Sequence, residues 1–267
     1  MDEKKLKEIW DQTQFCTSRT QAITFVDSDR KCRRCRYRAA SALAALVPSP
    51  LFPRAMQATC TISTMQGLEL FALRAIFPRT MTKIHVSTSP KCDHDFLMTV
   101  LQGFPVLEDL HVSTRRDGGV SRLPLLAFAV LPHNLRALRI EDTHAVDFTA
   151  ETLQEFLGSY PRLEELFINP SPATTLPREE LPDLRCLETL LTQPHPYDAV
   201  PPLKRFGALL RIDPVLEALP PQQPSCLREL DLGWSRSCGD MTHVKAYVRH
   251  LFPRVLIRAM SIGVAQI

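Results

Sequence analysis

Apolar residues return along this chain in one repeated phrase. After Gly103, Phe104 and Pro105 comes the frame Leu107-x-x-Leu110-x-Val112. The frame recurs at Leu135, Leu138 and Ile140, at Leu163, Leu166 and Ile168, and at Leu227, Leu230 and Leu232. A weaker copy stands at Met81, Ile84 and Val86. The first frame residues Met81, Leu107, Leu135 and Leu163 are separated by 26, 28 and 28 residues. A second pattern lies beside the first. Leu97, Val100, Leu101 and Phe104 have i, i+3, i+4, i+7 spacing, as do Leu153, Phe156, Leu157 and Tyr160, and Val244, Tyr247, Val248 and Leu251. Each set lies on one face of a helix. Pro78, Pro105, Pro161 and Pro253 stand where these helices should stop. Proline lacks the amide donor a helix needs and pushes its predecessor towards extended backbone.

The order is therefore helix, proline, strand and loop, then the same again, which predicts an α/β chain with parallel strands. Strands covered on both faces read as unbroken apolar runs. These interleave charge instead, so one face of each strand must be wet. A period of roughly 20–29 residues with L-x-x-L-x-L marks a leucine-rich-repeat solenoid, with its sheet on the concave side and helices on the convex side. Two segments are predicted: a capping segment at 1–49 and an irregular solenoid at 50–267. Ala22–Val26 reads as a first strand, and helices are expected near 2–12 and 30–46. Phe52-Pro53-Arg54 parallels Phe77-Pro78-Arg79, which makes the stretch after residue 50 a degenerate repeat. Leu184, Leu187 and Thr189 offer one more phrase. Eight prolines in 194–224 interrupt the pattern, leaving only a short strand at Ala208–Ile212. The last helix is expected at 241–251, and the apolar tail from Val255 is expected to close the core.

Composition narrows the functional classes. The 267 residues are 45% hydrophobic, enough for a continuous core, but only 9 are glycine while 22 are proline. Phosphate-cradling loops need glycine. No G-x-G-x-x-G, P-loop or G-x-S-x-G is present, so no enzyme class and no cofactor is indicated. The start of the chain has no apolar core of a secretory leader, and no apolar stretch is long enough to span a bilayer. Eight scattered cysteines then suit a reduced compartment, cytoplasmic or nuclear.

Net charge is +3 but uneven: residues 1–54 carry 11 basic against 6 acidic side chains. Six of the basic residues fall in Arg30–Arg38, around Cys32 and Cys35. That segment can be read as a zinc half-site, a nuclear-localisation signal or a nucleic-acid patch. It can equally be a helix whose Cys32, Cys35, Ala39, Leu43 and Leu46 face inward while the arginines are solvated. Zinc needs about four ligands, and no second pair follows at finger spacing. The Cys92-Asp93-His94-Asp95 run precedes a helix, where Asp93 or Asp95 would cap free amides. His243 and His250 are seven apart on the last helix, unlike paired zinc ligands. No metal site is expected.

The residues between the frame positions carry the candidate binding surface. They are Thr82, Lys83 and His85; Glu108, Asp109 and His111; Arg136 and Arg139; Glu164, Glu165 and Phe167; and Arg228, Glu229 and Asp231. Acidic and basic sets alternate, so neighbouring strands could pair charges laterally. Phe167 stands out as an apolar anchor for a partner, and Trp234 as a second anchor or a buried cap.

The phrases FPVLEDLHV, YPRLEELFI and CLRELDLGW resemble the leucine-rich-repeat region of F-box proteins, above all the large fungal (basidiomycete) set, over roughly residues 50–260. The resemblance implies a non-catalytic protein-interaction solenoid acting as a substrate-recognition subunit of a ubiquitin ligase. The Leu-Pro-x-Glu opening of an F-box does not occur in residues 1–60. A Skp-type adaptor is therefore a partner only where an F-box is present elsewhere in the gene. No asparagine follows the strands at Val112 or Ile140, so no asparagine ladder is expected. The alternative function is nucleic-acid association through residues 30–38. No membrane partner is expected.

Overall fold

The computed structural model of the chain describes residues 22–26, 55–62, 79–89, 92–114, 123–142, 146–169, 181–190, 203–212, 225–233, 236–237 and 241–258. These divide into two compact units. One runs to Asp117 and includes Val130–Asn134; the other takes Gly118–Ala129 and the chain from Leu135 on. Both are α/β with parallel strands.

The first unit holds strands β1 (Ala22–Val26), β2 (Gln57–Ile62) and β3 (Lys83–Thr88), helix α1 (His94–Leu101) and strand β4 (Asp109–Thr114), the strands hydrogen-bonded in that order and all parallel. Alternation sorts their side chains. Ala58, Cys60, Ile62, Ile84, Val86, Leu110 and Val112 are buried, with Thr88 and Thr114 at the strand ends. Asp93 caps α1, its carboxylate accepting from the Asp95 and Phe96 amides at 2.9 and 3.2 Å. Of the predicted helix face, Leu97, Leu101 and Phe104 are buried; Met98 is buried as well, and Val100 is half-exposed.

The second unit opens with β5 (Leu123–Pro124), the short 3-10 helix η1 (Leu125–Phe128), β6 (Ala137–Asp142) and β7 (Val146–Asp147). Helix α2 (Ala150–Ser159) and β8 (Glu165–Ile168) follow, then the 3-10 helix η2 (Leu184–Leu190), β9 (Arg205–Ala208) and β10 (Arg211–Ile212). It closes with β11 (Glu229–Asp231), β12 (Arg236–Ser237), α3 (Met241–Leu251) and β13 (Leu256–Arg258). Strands β6, β8, β9, β11 and β13 form one parallel sheet in that order. A Thr149–Thr152 capping box starts α2. The predicted faces Leu153, Phe156, Leu157, Tyr160 and Val244, Tyr247, Val248, Leu251 are buried throughout. At the end of α2 the Tyr160 hydroxyl donates to the Phe128 carbonyl at 2.6 Å, which ties the helix end to η1.

Strand alternation leaves one outward residue between two inward ones, yet the first gap in L-x-x-L holds two. The hydrogen bonding accounts for the extra residue. Strands β3, β4, β8, β9 and β11 begin with two successive amides donating to one carbonyl of the neighbouring strand. Glu108 and Asp109 share the Thr82 oxygen, and Glu164 and Glu165 that of Arg136. Lys204 and Arg205 share that of Glu164, and Arg228 and Glu229 that of Lys204. This bulge-like doubling sets two residues against one. It takes up the spare position without turning the following apolar residues out of the core.

Three expectations change. Leu184–Leu190 is a 3-10 helix, not a strand. Its buried leucines Leu184, Leu187 and Leu190 recur every three positions, which is the 3-10 period, and Cys186 is buried beside them. The Pro-rich interruption contains a full member of the sheet, Arg205–Ala208, rather than a strand at Ala208–Ile212; Arg211–Ile212 is a separate strand paired with β12. Its frame is Leu203, Phe206 and Ala208, all buried. Of the tail expected to close the core, the described part Leu256–Arg258 forms strand β13 beside β11, and its Leu256 is exposed. Residues 2–12, 30–46 and 259–267 lie outside the described residues, as does Trp234.

Candidate interaction surface on the polar strand faces

In the first unit the outward residues line up in three rows. Lys83 stands opposite Asp109 and pairs with it at 2.6 Å. His85 stands opposite His111, and the two imidazoles stack with centroids 4.0 Å apart and planes 11° from parallel. Thr61, Ser87 and Ser113 form a row of hydroxyls. Thr82 donates its hydroxyl to the Met56 carbonyl, and Glu108 is exposed.

In the second unit the rows are charged. Glu164 lies between Arg136 and Lys204 and pairs with both. Lys204 and then Arg136 hold its carboxyl below the usual range. In the next row Arg205 bridges Glu165 at 3.0 Å and Glu229 at 3.1 Å, and Arg258 reaches the other oxygen of Glu229 at 3.0 Å. Glu165 first and then Glu229 keep the Arg205 guanidinium above its ordinary value. The third row holds Arg139, Phe167, Gly207 and Asp231. Arg139 lies 5.4 Å from the Phe167 ring centroid and pairs with Glu141 at 2.8 Å. A β-carbon on Gly207 would stand 2.4 Å from the ring, so Phe167 lies across the bare backbone of Gly207. Asp231 accepts from the Gly233 amide at 2.8 Å.

All the sequence-selected residues of each unit thus share one strand face or its starting edge. The lateral charge pairing foreseen from the alternating sets is present. Sequence reasoning missed Lys204, Arg205 and Gly207, because Phe206 and Ala208 stand where the frame has leucines and prolines flank the strand. It also missed Arg258 and Asn169. Asn169 follows β8 directly with φ 47°, is buried, and its side-chain oxygen accepts from the Asp142 amide at 2.6 Å. This is one asparagine bridge between repeats where none was expected.

Among the described residues no group of three or more His, Cys, Asp or Glu side chains gathers to hold a metal. Asp93 is an N-cap, and Cys92 donates to the Ile62 carbonyl at 3.6 Å. His250 sits in the last turn of α3, while the His243 side chain and the Arg30–Arg38 segment lie outside the described residues. No helix among the described residues is long and apolar enough to cross a membrane. A scan of protein-family models and a search of curated proteins gave no match to the chain.

Proposed function

We propose that this chain is a non-catalytic protein-interaction solenoid of leucine-rich-repeat type, intracellular, and related to the substrate-recognition subunits of F-box ubiquitin ligases. The observation that carries the reading is the polar face of the second unit. Five parallel strands bring charged side chains to one side, and two of their rows are cross-braced from strand to strand by ion pairs. Exposed ion pairs of this kind are worth only ~0–1 kcal/mol each to stability, so fold stability alone gives little reason for such a dense array. Their use is preorganisation. Side chains already held by neighbours lose less rotamer freedom when a partner arrives. Phe167, half-buried across Gly207 and beside Arg139, supplies the aromatic contact that binding surfaces favour.

The test is capture of partners by the tagged full chain, with the parent compared with an Arg139→Glu, Glu165→Lys double variant. Loss of a specific protein from the variant, with unchanged thermal unfolding, is the expected result. Cullin and Skp-type adaptor subunits among the captured proteins would support the ligase kinship. Retention of every partner by the variant would overturn the placement of the surface.

A further inference from the structure

In the row of Glu165, Arg205 and Glu229, acid and base alternate across the sheet and each neighbour is paired, while Arg258 reaches Glu229 from the adjoining row. The row at the strand starts follows a different pattern. Arg136, Glu164, Lys204 and Arg228 occupy corresponding places, because the Glu164 amide donates to the Arg136 carbonyl, Lys204 to Glu164, and Arg228 to Lys204. Here the order is base, acid, base, base. Glu164 serves Arg136 and Lys204 together. Arg228 is exposed, and among the described residues no carboxylate pairs with it. Adjacent strands lie ~4.8 Å apart, so Lys204 and Arg228 are neighbouring cations with one acid too few.

The same edge carries two more arginines. The turns Tyr160–Leu163 and Phe252–Val255 close with amide-to-carbonyl bonds of 3.0 and 3.1 Å, and each starts aromatic-Pro-Arg. Proline sits at the second turn position, which its fixed φ suits, and the third position is left facing solvent. Arg162 and Arg254 are accordingly exposed. Among the described residues, the row Arg136, Glu164, Lys204 and Arg228 and its two turns thus hold five basic residues and one acid, Glu164.

We infer that this edge docks an acidic protein segment, and that an Asp or Glu carboxylate of that segment completes the row by binding Lys204 and Arg228 as Glu164 binds Arg136 and Lys204. The inference rests on the interaction reading above and names its partner chemistry. A carboxylate is favoured over a nucleic-acid phosphate because the occupied half of the row is already built around one. Arg162 and Arg254 extend the attraction to further acidic residues, and the binding weakens as salt screens it.

The experiment is fluorescence anisotropy with the full chain and a short fluorescein-labelled peptide alternating Glu and Ala. A Gln-and-Ala peptide and a single-stranded oligonucleotide are run beside it. The Glu peptide is expected to bind and the Gln peptide to fail. Arg228→Glu, which fills the row with the chain's own acid, is expected to weaken binding by about tenfold or more without lowering the melting temperature. Arg228→Gln should weaken it less. An unchanged affinity in Arg228→Glu, no binding of the Glu peptide, or tighter binding of the oligonucleotide would each overturn the inference. If Arg228→Glu still captures the partners that the Arg139→Glu, Glu165→Lys variant loses, this edge is wrong while the interaction surface stands. If both variants keep them, the surface itself is wrong.

Discussion

Three residues make the physical argument testable at the smallest scale. Gly207 leaves room for the Phe167 ring, which a β-carbon would meet at 2.4 Å. Gly207→Ala should therefore cost about 1–3 kcal/mol, the usual range for overpacking. Adding Phe167→Ala should recover part of that loss, because the two sites share one space. Urea unfolding of the two single variants and the double variant checks this. Asn169 combines a positive φ with a buried acceptor for the Asp142 amide. Asn169→Gly keeps the backbone but strands that amide, and should cost about 1–3 kcal/mol in the same assay. Burial pushes the Cys60 thiol up to about 12, so the reactive thiolate is almost absent near neutral pH. Exposed Cys226 should alkylate rapidly in the native protein, and Cys60 only on unfolding, as read by peptide mass spectrometry.

At the scale of elements, the strands and helices were legible wherever the apolar frame was long and regular. Leu107-x-x-Leu110-x-Val112 and Leu163-x-x-Leu166-x-Ile168 each gave a strand in the expected place, and the i, i+3, i+4 sets gave α2 and α3. The failures have specific causes. Leu203-x-x-Phe206-x-Ala208 has the same spacing, but its small last residue and flanking prolines concealed it. Leu184, Leu187 and Leu190 share the first gap of the frame and differ only where the third apolar residue falls, at six rather than five. The polar surface was legible as a set of residues but not as a set of partners, since pairing depends on which strands are neighbours. Strand β9 and the residue before it supply Arg205 and Lys204, which hold Glu165 and Glu164. This bracing gives a pH dependence. The carboxyl of Glu164 is lowered in the folded chain, chiefly by Lys204. Its contribution to stability is present above the ordinary glutamate value and lost as pH falls through the lowered one. Glu164→Gln should accordingly lower stability modestly near neutrality and converge with the parent at low pH, which flattens the acid limb of a stability-against-pH curve.

For the molecule as a whole, helix, proline turn and parallel strand follow one another at α1–β4, α2–β8 and α3–β13, and the sheet strands β4, β6, β8 and β11 bury apolar residues on one side and present chiefly polar ones on the other. The interaction reading makes the charged side the working side. A site-specific photo-crosslinker tests that most directly. Placed at Arg139, on the polar strand face, and separately at Glu155, exposed on α2, it reports which side meets other proteins when the full chain is irradiated in cell extract. The account predicts a discrete protein adduct from position 139 and none from position 155. Adducts from 155 alone, or none from 139, would contradict it.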